Sequence, residues 1–394
     1  MGGHGQHGRS IATVLVFSAI FLSLAGAGAD ETLFEVHGSL DLTANGNDDL
    51  VALNTNIPGD SNFDNLRSRL FVEGGSGRTR AFIQLLMTDT DGGAFRLYGA
   101  YLLHQLSESR NVFLEVGKIP IHDGIWSPNT YSHKNPLVSI PLAYFYRSSL
   151  RSRQLPMDLN ELLTQRGRGQ RDQGGAGGYE PALPILYDNC WDYGAYVIGS
   201  GTRYDYAIGA TVGAPSAPIA GRDSNGRPSL HARFGFAPVT GLRLHASVAR
   251  GPYLDDLTAG YLPAGKKTRD YTQQLYIASV QWDHGYLSMK AEAFWNHWAT
   301  PLREDGLGNA SYYAMLTYKF YPGWYGALRY DTLRFEEVEG ANGTVTWDDN
   351  IQRVELGVGY RFTREMLVKV VGQLNDTGDG WKHFLPATQL AYHF

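Results

Sequence analysis

Four arginines, Arg67, Arg69, Arg80 and Arg96, fall on the polar parity of three successive segments in which apolar and polar residues alternate. A two-residue period sends neighbouring side chains to opposite faces of a strand, so the four guanidiniums share one face of one sheet. The same parity selects Arg203, Arg233, Arg243, Lys290, Lys319, Arg329, Arg361 and Lys369 further along, together with Asp205, Asp283, Glu292, Asp331 and Glu355. Glu115 stands on that parity where the fifth segment enters a long insertion. Fixed charges lining a narrow aqueous passage focus the field and discriminate between small ions. Bases outnumber acids in this set, which points to a weak preference for anions.

Catalysis finds little support. The histidines are scattered, and "WNHW" around His297 and "IHDG" around His122 match no spaced nucleophile, base or metal motif. "GAGGYE" lacks the lysine that a phosphate-cradling loop would supply. The single cysteine, Cys190, excludes an internal disulfide framework and a cysteine-rich metal site. We therefore expect neither enzyme activity nor a cofactor nor a metal. A formal net charge of -5 gives no electrostatic reason to expect a nucleic-acid partner.

The elements that position these charges can be read from the period. "FEVHGSLDLT", "TRAFIQLLMT", "GLRLHASVAR" and "LSMKAEAFWN" each carry an apolar face and a polar face. Counting such segments predicts sixteen strands, over 33–43, 64–74, 78–88, 93–104, 110–119, 191–199, 203–213, 227–236, 241–250, 271–283, 286–297, 309–320, 324–335, 350–362, 365–375 and 383–394. Tilted strands of about 9–11 residues cross a bilayer, whereas strands of soluble sheets are mostly about five or six. Every second connection is short ("GSG", "SGT", "APVT", "HG", "YPG", "TR"), and the others are mostly longer and polar. An all-β, antiparallel, up-and-down transmembrane barrel has both properties. The 24 Tyr, 17 Phe and 8 Trp suit its interfacial girdles, with Trp282, Trp295, Tyr318, Phe320, Trp324, Tyr360 and Phe362 at or near strand ends on the apolar parity. At the start of the chain, "IATVLVFSAIFLSL" after Arg9 and the small residues before Asp30 read as a signal peptide over 1–29, leaving 30–394 as the barrel.

Between the fifth and sixth strands lie residues 120–190, a long third connection on the side of the longer loops. "NPLVSIPLAYFYRSSL", with Tyr144, Tyr146 and Arg147, is too apolar to remain in water and is expected to fold into the barrel. "LPMDLNELLTQ", with Asp158 and Glu161, reads as a short helix, and "RGRGQRDQGGAGG" as flexible and exposed.

The last strand, with Leu390, Tyr392 and Phe394 alternating to the terminal "F", resembles the C-terminal strand of bacterial outer-membrane barrels. The long third loop and the strand count resemble the sixteen-stranded general porins. These resemblances imply recognition of the terminal strand by the barrel-assembly machinery, lipid around the apolar face, passive diffusion of small hydrophilic solutes and a homotrimer. They also imply that the loop narrows the pore, with Asp123, Asp158, Glu161 and Glu115 as candidate acids opposite the arginines. Two further readings stay open. One is a substrate-selective channel like the sugar-specific or phosphate-selective porins, with Tyr98, Tyr144, Tyr146 and Phe82 as stacking surface. The other is a sheath around a cytochrome, although the chain has no "CxxCH" of its own.

Overall fold

The computed structural model describes residues 33–46, 52–57, 60–89, 95–107, 109–171, 182–187, 191–217, 225–341, 343–378 and 381–394. The expected signal peptide over 1–29 lies outside the described residues. Sixteen strands close an antiparallel barrel in which each pairs with its neighbours in sequence and the first pairs with the last. In chain order they are Leu33–Asn45, Leu66–Ser76, Thr79–Thr88, Arg96–Gln105, Asn111–Pro120, Trp191–Ser200, Tyr204–Thr211, Ser229–Val239, Leu242–Pro252, Thr272–His284, Leu287–Thr300, Arg303–Tyr321, Trp324–Phe335, Ile351–Arg361, Met366–Asp376 and Trp381–His393.

One boundary departs from the period. The twelfth strand begins at Arg303 rather than 309 and runs for 19 residues, because the eleventh and twelfth strands keep pairing up to Thr300–Arg303. That hairpin is longer than a bilayer crossing needs, so its upper part rises above the apolar band.

The outward parity is apolar and bare: Leu230 is 62 %, Ile208 59 % and Val370 57 % exposed. Each such side chain left in water forgoes about 1.5–3 kcal/mol of burial. A continuous belt of them is stable only against lipid. Aromatic rings edge this belt. Trp324 and Tyr360 lie 4.8 Å apart and Tyr360 and Phe362 4.6 Å apart near the short-turn rim, and Tyr312 and Tyr330 pair at 6.0 Å higher up the wall. No helix among the described residues is long and apolar enough to cross a membrane; the strands provide the crossing.

Where the first and last strands close the barrel, one glycine meets the terminal ring. Gly38 and Phe394 exchange backbone hydrogen bonds of 2.9 and 3.0 Å, and a Cβ at position 38 would enter the Phe394 ring. Gly38→Val is therefore expected to impair seating of the last strand and to lower the folded fraction several-fold. Heat-modifiable gel mobility of the outer-membrane fraction would show it; an unchanged folded fraction would mean that the Phe394 ring moves aside freely.

The main hydrophobic core sits inside the barrel. Phe63, Trp126, Leu137, Phe145, Leu150 and Trp347 are each 0–1 % exposed and belong to one cluster that joins the third loop to inward-facing wall residues such as Phe294 and Met315. The first loop contributes Phe63, and the segment 336–350, with its hairpin Glu337–Gly340/Gly343–Thr346, contributes Trp347 from the long-loop end.

Candidate functional site: the lumen wall and the third loop

An irregular chain inside a barrel has backbone groups that no ladder satisfies, and each needs a partner at membrane depth. The wall supplies those partners from ionic side chains. Glu292, on the eleventh strand, accepts hydrogen bonds from Ile125 N (2.8 Å), Tyr144 Oη (2.5 Å), Tyr313 Oη (2.8 Å) and Ser279 Oγ (2.8 Å). Glu355, on the fourteenth, accepts from the backbone N–H groups of Val138 and Ser139 at 3.1 Å each, from the Ser139 hydroxyl, and from Arg329 at 3.0 Å. Arg329 also donates to Asp331 (2.8 Å) and to the carbonyls of Ser139 (2.8 Å) and Ile140 (3.2 Å), and lies 5.7 Å from the Trp126 ring centre. Lys369 donates to the carbonyls of Ser132, Asn135 and Leu137 at 2.9–3.2 Å. A buried charge is tolerated when it is paired or well supplied with hydrogen bonds: Arg329 has Asp331 and Glu355 as ion-pair partners, while Glu292 and Lys369 are held by neutral groups, several of them from the loop itself.

Other inward residues complete the grip. Asp123 of the loop pairs with His231 at 2.6 Å, and His231 contacts the Thr211 hydroxyl at 3.0 Å through its other ring nitrogen. Lys290 donates to Asn129, Arg233 reaches the Gly124 carbonyl at 3.3 Å, and Ser132 donates to Asp41. Arg69 lies 5.1 Å from the Tyr131 ring centre and Arg67 donates to Asn62. Tyr146 is buried, and Arg147 is enclosed against Tyr187 while donating to the Ala182 carbonyl at 2.7 Å; burial pushes its pKa down.

The expected opposition of wall arginines to loop acids is corrected here. Asp123 faces His231, and Glu115 faces His122 at 2.6 Å. Asp158 and Glu161 turn away from the wall because a helix end competes for them. Asp158 accepts from Glu161 N (2.8 Å) at the start of helix Leu159–Thr164, and Glu161 accepts from Met157 N (2.6 Å). The stretch after this helix also differs from its expected exposure: Gly167 and Gln170 are buried, and Gln170 accepts from Arg147 N at 3.0 Å. Residues 172–181 lie outside the described residues.

Toward the short-turn end the lumen opens into two cavities. One, of about 710 Å³, is bordered by Lys134, Lys290, Lys319 and Arg361 with Asp283 as its acid; the other, of about 510 Å³, by Arg203, Arg233 and Arg243 with Asp205. Arg80 stands exposed at the same rim, and Arg96 is partly covered at the opposite end of the wall. Tyr98 and Phe82 pack against Trp191, with ring centres 6.2 Å apart in each case, and are not open stacking surface. The described residues hold no cluster of three or more metal-ligating side chains.

At the long-loop end, buried Asp348 accepts hydrogen bonds from the backbone N–H groups of Gly167, Asp349 and Ser149. Burial pushes its carboxyl from the ordinary 3.8 up to about 6. A raised folded-state pKa favours the protonated form in the docked state. Its contribution is thus fully present below about pH 4 and is lost as pH rises through 6. Hydrogen exchange in 336–350 should slow when pH is lowered from 7 to 4.5, after correction for the intrinsic rate, and Asp348→Asn should flatten that dependence. Faster corrected exchange at low pH would contradict it.

No protein-family model and no curated protein matches this chain. Solved structures do. An OmpF of Salmonella typhi, in complex with daunomycin, is 12 % identical with a TM-score of 0.56, covering 92 % of this chain and all of its own. The barrel has the porin fold. The trimer form of OmpT from Vibrio cholerae (12 % identity, TM-score 0.53) and the outer-membrane channel DcaP of Acinetobacter baumannii (14 %, 0.51) each cover 93 % of this chain and all of their own. At these identities the likeness is one of fold. Charged wall residues meet loop residues far away in sequence: 108 positions separate His231 from Asp123, 217 separate Glu355 from Val138 and 237 separate Lys369 from Ser132. Only their shared inward parity hinted at them.

Proposed function

We propose that the chain is an outer-membrane channel for passive diffusion of small hydrophilic solutes, with a weak preference for anions, whose passage the third loop over 120–190 restricts. The observation that carries this reading is the pair of basic cavities inside a lipid-facing barrel, with four cations to one acid in the larger and three to one in the smaller. A low-dielectric enclosure with net positive charge concentrates anions. The short-turn end is taken as periplasmic, as in outer-membrane barrels generally. Export by a signal peptide over 1–29 and recognition of Leu390, Tyr392 and Phe394 by the barrel-assembly machinery belong to the same reading. So does a homotrimer, supported by the trimer form of the Vibrio cholerae protein.

A catalytic role is not part of the proposal. The arrangement nearest to a relay, Asp123–His231–Thr211, is buried, and Thr211 also donates to the Gly213 carbonyl at 3.1 Å. The cavity beside Asp123 measures about 20 Å³, room for little more than one water. A cytochrome sheath would need the space that the chain's own loop occupies.

The test is the reversal potential of bilayer-reconstituted protein under a salt gradient. The expected sign is that of anion preference, reduced when Arg243 and Lys319 are both replaced by Gln. Cation preference would refute the proposed selectivity.

A further inference from the structure

The larger cavity has features that nonspecific diffusion does not need. It lies between the loop segment 133–136 and the short-turn ends of the tenth to fifteenth strands. Two of its four cations are free for a ligand: the Lys134 and Lys319 ammonium groups make no hydrogen bond or ion pair among the described residues. Lys134 lies 5.8 Å from the Tyr131 ring centre. Lys290 spends one donor on Asn129, and Arg361 is held in place by the carbonyls of His133 and Arg364 at 3.1 and 3.2 Å. His133 is pushed down to about 3 by burial, then by His393, Lys134, Arg69 and Arg361, so it is neutral and the positive charge at the cavity comes from the lysines and Arg361. Exposed aromatic surface borders the same cavity at Tyr286 and Tyr321, and Tyr325 donates to the Pro136 carbonyl at 3.0 Å. The volume of about 710 Å³ falls within the range of small-molecule sites.

We infer that this cavity is a binding site for a small organic oxyanion that joins at least two negative charges to a flat apolar body, entered from the short-turn end. Lys134 and Lys319 would take the oxyanion, with Lys290 and Arg361 behind them, while the Tyr286 and Tyr321 rings cover the apolar part. Charge alone fills only part of such a site, and an apolar ring alone leaves the cations unmatched. The inference names the solute class of the proposed channel and rests on that reading for its physiological meaning, but the binding itself does not require conduction.

The experiment is calorimetric titration of the full-length, detergent-solubilised barrel with phenyl phosphate at pH 8 and low salt, with inorganic phosphate and benzyl alcohol as the two half-ligands. Saturable binding of phenyl phosphate at one site is expected, with phosphate weaker and benzyl alcohol not measurable. Lys319→Gln and Lys134→Gln should each weaken binding about tenfold. Arg243→Gln, in the smaller cavity, should leave it unchanged, and heat-modifiable mobility would establish that each variant is folded. Absence of saturable phenyl phosphate binding, equal binding of benzyl alcohol, or indifference to both lysine replacements would overturn the inference. Conductance recorded on the same preparations separates the two readings: binding without conduction leaves the site standing and the channel refuted, and conduction without binding does the reverse.

Discussion

Replacing Glu355 by Ala is expected to unlatch the third loop from the wall. Glu355 is the acceptor for two backbone N–H groups of the loop, for the Ser139 hydroxyl and for Arg329, and all lose it together. Arg329 would keep Asp331 as its only acidic partner among the described residues, in a site where it is fully buried. Breaking a buried pair by removing one member costs about 3–5 kcal/mol, because the partner stays buried with an uncompensated charge. That cost falls on the loop's docking more than on the barrel ladder, whose hydrogen bonds are untouched. The expected result is a loop cleaved by added protease at residues 135–150 while the barrel remains heat-modifiable. Glu355→Gln, which keeps one acceptor, should lie between. Equal protease resistance in all three proteins would mean that packing alone holds the loop.

Packing is addressed by Trp126→Ala. Trp126 is 0 % exposed, 5.8 Å from the Tyr313 ring centre and 6.4 Å from that of Tyr144, with Arg329 over its face. Truncating a buried tryptophan costs about 3–5 kcal/mol through lost burial and the void left behind. Here the void opens in the middle of the lumen, next to the charges that hold the loop, and water would enter it. Thermal unfolding should shift to lower temperature and single-channel conductance should rise. A destabilised barrel with wild-type conductance would place Trp126 in the core but off the solute path.

The barrel was legible because lipid outside and charge inside impose a strict two-residue period, so all sixteen strands were recoverable from alternation alone. The twelfth strand was misplaced at one end, where its pairing continues beyond the lipid and the outer face no longer has to be apolar. The inward parity of Arg67, Arg69, Arg233, Lys290, Glu292, Arg329 and Glu355 was equally legible. What they face was not, since a wall carboxylate gripping the backbone of a distant loop leaves no spacing signature. Asp158 and Glu161 show the converse. Their spacing at a helix start carries a capping signal, and capping wins over the pore-facing role that the porin resemblance implies. Asp348 and Tyr313 gave no distinguishing sign, because only the folded loop brings donors to them.

The most direct test of a lumen governed by its third loop is single-channel recording of the wild-type protein and Glu355→Ala in the same planar bilayer system. Small or infrequent steps from the wild type, with several-fold larger steps from the variant, are the predicted result. Large ohmic steps of equal size from both proteins would contradict it and move the restriction to passage away from residues 120–190.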